Sequence, residues 1–62
     1  MTTETEYHDA LHAIAHELRS AITVISGNAE LAMVKYPESE DVVQPIITAT
    51  ERLEDALKRL LG

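Results

Sequence analysis

His16 and Glu17 are the neighbouring residues of this chain whose side chains are best suited to chemistry. An imidazole can act as a nucleophile near neutral pH, and a carboxylate beside it can orient the ring and accept a proton. On the helix predicted below, each residue adds about 100°, so His16 lies about 160° from Leu18 at the centre of the apolar stripe. We therefore predict that His16 faces outward and is not a core histidine.

The residues that share this side of the helix with His16 are small. Ser20, Thr23 and Gly27 follow at helical spacing, whereas exposed helix faces usually carry long charged side chains. A glycine in the middle of a helix costs about 1 kcal/mol relative to alanine. Close approach by another backbone or domain would explain Gly27, and a merely tolerated glycine is the alternative.

The element that positions these residues is a long amphipathic helix, predicted from about Glu6 to Tyr36. Its apolar residues recur at alternating spacings of three and four, as in a heptad seam: Leu11, Ala15, Leu18, Ile22, Ile25, Ala29, Ala32 and Tyr36, with Ile14 and Ala21 widening the stripe. Pro37 ends the pattern, and Ser39 is placed to cap a second helix that has Glu40 and Asp41 in its first turn.

The second helix is predicted from about Glu40 to Leu61. One face carries its apolar residues: Val42, Ile46, Ala49, Thr50, Leu53, Ala56, Leu57 and Leu60. Pro45 allows two interpretations, since either the helix begins there or its first turn is kinked there. Gly62 is expected to stop this helix, and Met1 to Thr5 are expected to fray.

The fold class predicted from these patterns is all-α, with one domain over residues 1–62. It comprises helix 1 at about 6–36, a turn at 37–39 and helix 2 at about 40–61, joined as an antiparallel hairpin. A chain of 62 residues without cysteine has too small a core to be stable easily on its own. We therefore predict a homodimer in which two hairpins form a four-helix bundle.

The formal net charge of −6 limits the classes of partner. Nucleic acid and anionic membranes both select basic surfaces, so neither is expected. The apolar runs are too short to span a bilayer, and no signal peptide opens the chain. The absence of cysteine suits a reducing cytoplasm, which is the predicted location.

His8, His12 and His16 repeat at four-residue spacing, a pattern found in some metal sites on helices. Two histidines so spaced on a helix can bind zinc. However, the row drifts around the helix and no cysteine completes a ligand set. The sequence therefore predicts no metal site, with His8 and His12 as ordinary, partly exposed residues.

The stretch "HELRSAITVISGNAEL" resembles the H-box of the dimerisation and histidine phosphotransfer (DHp) domain of bacterial sensor histidine kinases. The usual form of that motif reads like H-E-L-R-T-P-L-T-x-I-x-G-x-x-E-L. The shared positions are His16, Glu17, Leu18, Arg19, Thr23, Ile25, Gly27, Glu30 and Leu31. The later stretch "ATERLEDALKRLLG" is similar to the second helix of the family, although that pattern is less specific.

The resemblance implies roles for individual residues. His16 would be the phosphoacceptor, which attacks the γ-phosphate of ATP and later passes the phosphoryl group to an aspartate of a response-regulator receiver domain. Glu17 would hydrogen-bond the other ring nitrogen and accept its proton. The receiver is expected to dock on the outward side of the helix near Arg19, Thr23 and Gly27.

Two of the departures from the family motif bear on function or on the shape of the helix. Ser20 stands where the family has a threonine or asparagine that orients water for phosphatase activity, and serine is smaller. Ala21 stands where the family usually has proline, so the first helix is expected to be straighter just after His16.

No glycine-rich nucleotide loop or asparagine-rich magnesium motif occurs in the sequence. ATP and Mg²⁺ are therefore expected to be bound by a separate catalytic domain, with this chain as substrate and relay and not active alone. The alternatives are a purely structural dimerisation bundle and a standalone histidine phosphotransfer protein.

Overall fold

The computed structural model describes residues 3–61 and consists of two α-helices joined by a short turn. Helix α1 spans Thr3–Lys35, a 3₁₀ turn spans Pro37–Ser39, and helix α2 spans Glu40–Leu61. The all-α helical hairpin predicted from the sequence is confirmed. Thr3 to Thr5, which the sequence predicted to fray, are helical and belong to α1, whereas Met1, Thr2 and Gly62 lie outside the described residues.

The turn is closed by hydrogen bonds that converge on Tyr36. This residue precedes Pro37 and has φ of −133° and ψ of 73°, outside the α-helical region that a following proline disfavours. The Tyr36 N–H donates to the carbonyl of Ala32 at 2.7 Å, and the Ser39 N–H donates to the Tyr36 carbonyl at 2.9 Å. The Ser39 hydroxyl donates to the same carbonyl at 2.6 Å. Ser39 therefore precedes α2 as predicted, but its hydroxyl closes the turn.

Pro45 lies inside α2, five residues after its start at Glu40. The interpretation in which the second helix begins at Pro45 is therefore wrong. Proline has no N–H. The carbonyl of Asp41 therefore lacks the hydrogen-bond donor that the residue four positions later normally supplies in an α-helix. Both residues are exposed, which leaves that carbonyl within reach of water.

The core between the two helices consists of residues spaced by seven positions on each helix, as in a coiled coil. On α1 the buried residues are Ala15, Ile22 and Ala29. On α2 they are Val43, Thr50 and Leu57. Ala15, Ile22 and Leu57 form one apolar cluster, against which Leu61 packs. We call the six buried residues of the two helices the interhelical core.

The residue that faces α1 near the start of α2 is Val43 and not Val42. Val43 is 7% exposed, whereas Val42 is 70% exposed. The assignment of Val42 to the packed face is therefore wrong within the hairpin. Val43 lies about 100°, one helical residue, from Val42, and it is in line with Thr50 and Leu57, which the prediction correctly placed on the packed face. Tyr36, assigned to the seam of the first helix, is likewise exposed.

Thr50 is the polar member of the interhelical core and is 3% exposed. Its hydroxyl donates to the carbonyl of Ile47 at 2.7 Å. This bond satisfies a group that would otherwise be costly to bury.

A second apolar surface remains uncovered by the hairpin. Leu18 and Ile25 on α1 are 49% and 48% exposed, although the sequence assigns them to the same seam as Ala15 and Ile22. Together with α2 they border a groove of about 260 Å³ that is lined by Leu18, Ala21, Ile22, Ile25, Leu53, Ala56, Leu57 and Leu60. We call this surface the apolar groove.

Over residues 3–61, neither helix contains a stretch long and apolar enough to cross a bilayer.

Candidate functional site

His16 lies near the middle of α1, on the side that faces away from both the interhelical core and the apolar groove. Its neighbour Ala15 is buried against α2, and a step of one residue turns the next side chain by about 100°. His16 is exposed, as are Ser20, Thr23 and Gly27. These four residues form the outer face of α1.

Glu17 and Arg19 flank the outer face and are also exposed. Side chains at successive helix positions diverge, so Glu17 does not face the ring of His16 along the helix. None of the side-chain hydrogen bonds found within residues 3–61 involves His16, Glu17 or Ser20. In the hairpin by itself, these three polar side chains are therefore free to bind groups from another molecule.

Thr23 is the residue of the outer face whose hydroxyl is engaged locally. Its Oγ1 donates to the carbonyl of Arg19 at 2.9 Å. A threonine that bonds back to the preceding turn has its side chain held along the helix. Ser20 is therefore the residue near His16 whose hydroxyl makes no hydrogen bond within residues 3–61.

Gly27 is surrounded by open space. A Cβ atom added there would meet no heavy atom within 4 Å. The residue also has a negative φ angle within α1, so its backbone conformation does not require glycine. Neither the helix nor the packing of the hairpin therefore explains the absence of a side chain at this position.

Three large apolar residues border the outer face toward the turn. Val24, Leu31 and Val34 are 62%, 48% and 78% exposed. Their exposure leaves apolar area beside the outer face that a partner could cover. The surface around His16 therefore has small side chains at its centre and these three apolar side chains along its edge.

The sequence predicted which residues lie on the outer face, because the direction of each side chain depends only on the periodicity of α1. It did not separate the residues that border the apolar groove from those of the interhelical core. A signal was available in the seven-residue spacing of Ile46, Leu53 and Leu60, which repeats beside that of Val43, Thr50 and Leu57.

The family model described as the His Kinase A (phospho-acceptor) domain matches residues 8–62. No curated protein and no solved structure matches the chain.

Proposed function

Because the chain belongs to the His Kinase A (phospho-acceptor) domain family, we propose that His16 is the phosphoacceptor of a two-component sensor histidine kinase. The observation that carries this proposal is the exposure of His16 on a face whose other members are small. An incoming domain can reach the imidazole there without displacing any part of the hairpin.

The proposed reaction transfers the γ-phosphoryl group of ATP to a ring nitrogen of His16. A P–N bond forms while the bond from the γ-phosphorus to the bridging oxygen breaks, and ADP departs with that electron pair. The other ring nitrogen gives its proton to Glu17, which thereby also selects the nucleophilic tautomer. Since the two side chains diverge in the free hairpin, we propose that this contact forms when a catalytic domain docks.

ATP and Mg²⁺ are supplied by that separate catalytic domain in this proposal. The metal ion would neutralise charge on the phosphates during transfer. This chain contributes the nucleophile, the base and the surface on which the domain docks.

The second step passes the phosphoryl group to an aspartate of a receiver domain. The receiver would dock on the outer face, with Arg19, Thr23 and Gly27 at the contact. Open space at Gly27 supports close approach there. The exposed Val24 and Leu31 supply apolar area beside it. Ser20 would orient the water if the domain also removes phosphate from its partner.

The apolar groove is the surface through which we propose that two copies associate into a four-helix bundle. Four leucine and isoleucine side chains that line it are only about half buried in the hairpin: Leu18, Ile25, Leu53 and Leu60. Complete burial of such a side chain is worth about 1.5–3 kcal/mol, so covering the exposed half of each contributes roughly half of that. The outer face lies on the opposite side of α1, so a dimer formed this way leaves His16 accessible.

A purely structural dimerisation bundle is the second candidate, and the apolar groove favours it equally. A purely structural bundle gives no reason for an exposed histidine and glutamate beside small residues. A standalone histidine phosphotransfer protein would share the outer face, and it differs in taking its phosphoryl group from a receiver and not from ATP.

The test is labelling with ATP that carries a labelled γ-phosphate, in the presence of a histidine kinase catalytic domain. We expect a label that is stable in base and labile in acid, because a phosphohistidine contains a P–N bond. His16→Gln should abolish the label, and His12→Gln, one turn away, should keep it. Label retained in His16→Gln, or found on Ser20 or Thr23, would favour the structural bundle.

A further inference from the structure

We propose that the imidazole rings of His8 and His12 together bind a divalent metal ion that favours nitrogen ligands, such as Zn²⁺, Ni²⁺ or Cu²⁺. The centroids of the two rings are 4.5 Å apart, with an angle of 57° between the ring planes. The sequence predicted two independent, partly exposed residues here, and the ring contact is what changes that interpretation.

The geometry suits chelation by adjacent turns of one helix. Histidines four residues apart lie on the same side of a helix, and imidazole nitrogens bind zinc at about 2.0–2.1 Å. Both side chains are exposed, so small rotations of the rings can bring one nitrogen of each to a shared ion. His16 is a further turn along the helix and makes no such ring contact in the described chain, so the pair is separate from the phosphoacceptor.

The number of ligands defines the class of site. Within residues 3–61, no group of three or more histidine, cysteine or carboxylate side chains is arranged to hold a metal ion. The ion would therefore take two nitrogens from the protein and its remaining ligands from water. Such a site binds exchangeably, with the preference of nitrogen ligands for Cu²⁺ over Ni²⁺ and Zn²⁺.

The location of the pair gives metal binding a structural consequence. Within the described hairpin, every residue from Thr3 to Ala10 is exposed, and the first buried residue of α1 is Ala15. Short helical segments that bury little surface are marginal in water. An ion that bridges His8 and His12 binds the helical form selectively and therefore stabilises the first turns of α1.

The experiment is a titration of the full chain with Ni²⁺, followed by NMR, with amide hydrogen exchange in the absence and presence of the ion. We expect paramagnetic broadening that begins at the His8 and His12 rings and is reversed by EDTA. Either His8→Gln or His12→Gln should weaken binding by about tenfold or more, because the second imidazole no longer binds intramolecularly. Exchange protection of the amides between His8 and His12 should rise in the wild-type chain.

His16→Gln is the matched control and should bind Ni²⁺ as tightly as the wild-type chain. Equal affinity in His8→Gln, or broadening that begins at His16, would overturn the site. Binding without added exchange protection would overturn the stabilisation of the first turns. None of these results depends on whether His16 accepts phosphate.

Discussion

Ala15 and His16 are consecutive residues of α1 with opposite surroundings: Ala15 is 2% exposed in the cluster with Leu57, and His16 faces solvent. The buried alanine fixes the rotation of α1 against α2 at this point. Because the helix is rigid over one residue, that packing also sets the direction in which the imidazole points. The position of His16, the proposed phosphoacceptor, is therefore secured by the interhelical core and not by contacts of its own side chain.

Glu17→Gln should slow labelling of His16 strongly and leave the stability of the fold unchanged. Within residues 3–61 the carboxylate makes no hydrogen bond, so its loss removes only the proposed proton acceptor. The measurements are the initial rate of labelling by a catalytic domain and the thermal unfolding midpoint. Glu51→Gln, an exposed glutamate on α2, is the control and should label at the wild-type rate. Equal rates in the two variants would exclude Glu17 as the base.

Gly27→Ala should stabilise the protein by about 1 kcal/mol, because alanine is the better helix former and the added methyl group meets open space. Gly27→Lys should keep most of that gain and yet weaken binding of a receiver domain, since a long side chain then occupies the outer face. Chemical denaturation and receiver titration separate the two effects. A Gly27→Lys variant that binds the receiver at wild-type affinity would place the docking surface elsewhere.

Leu18→Asp should prevent dimerisation, whereas Leu31→Asp should not. The two leucines are 49% and 48% exposed in the hairpin, so their exposure is matched. Only Leu18 lines the apolar groove, where dimerisation would bury the new charge without a partner. Sedimentation with circular dichroism over a dilution series is the measurement. Wild-type dimerisation in Leu18→Asp, or a wild-type hairpin that stays monomeric and fully helical, would contradict the four-helix bundle.

Val43→Ala should destabilise the protein by about 2 kcal/mol, through lost burial of two methyl groups and the space that they leave. Val34→Ala is the same substitution at a side chain that is 78% exposed, and it should change the free energy of unfolding by less than about 0.5 kcal/mol. Urea unfolding at fixed protein concentration compares them. Similar losses in both variants would mean that the interhelical core is not packed as described.

Pro45→Ala should stabilise α2 by about 1–3 kcal/mol, because alanine restores the N–H that the carbonyl of Asp41 lacks. Pro45 is exposed, so the substitution removes little packing. Pro45→Gly restores the same N–H with a poor helix former and should gain less than Pro45→Ala. A loss of stability in Pro45→Ala, measured by thermal unfolding, would show that the proline ring itself is needed at this position.

The sequence by itself determined the two helices, the break at Pro37 and the outward direction of His16. Each of these depends on one helix only, through its periodicity or a local conformational constraint. Sequence periodicity places a side chain within a sector of the helix surface, and His16 lies far enough from the apolar sector that no plausible rotation buries it.

Only the tertiary structure decided how the apolar sector is divided. It placed Ala15 in the interhelical core, Leu18 at the apolar groove and Ile22 at both, and it buried Val43 in place of Val42. It also brought the rings of His8 and His12 together. An apolar stripe more than about 100° wide can pack against two neighbouring helices. The periodicity of the stripe does not specify which of its residues pack against each neighbour. That division follows from the rotation and register of α1 against α2, which are properties of the pair of helices and of neither sequence segment alone.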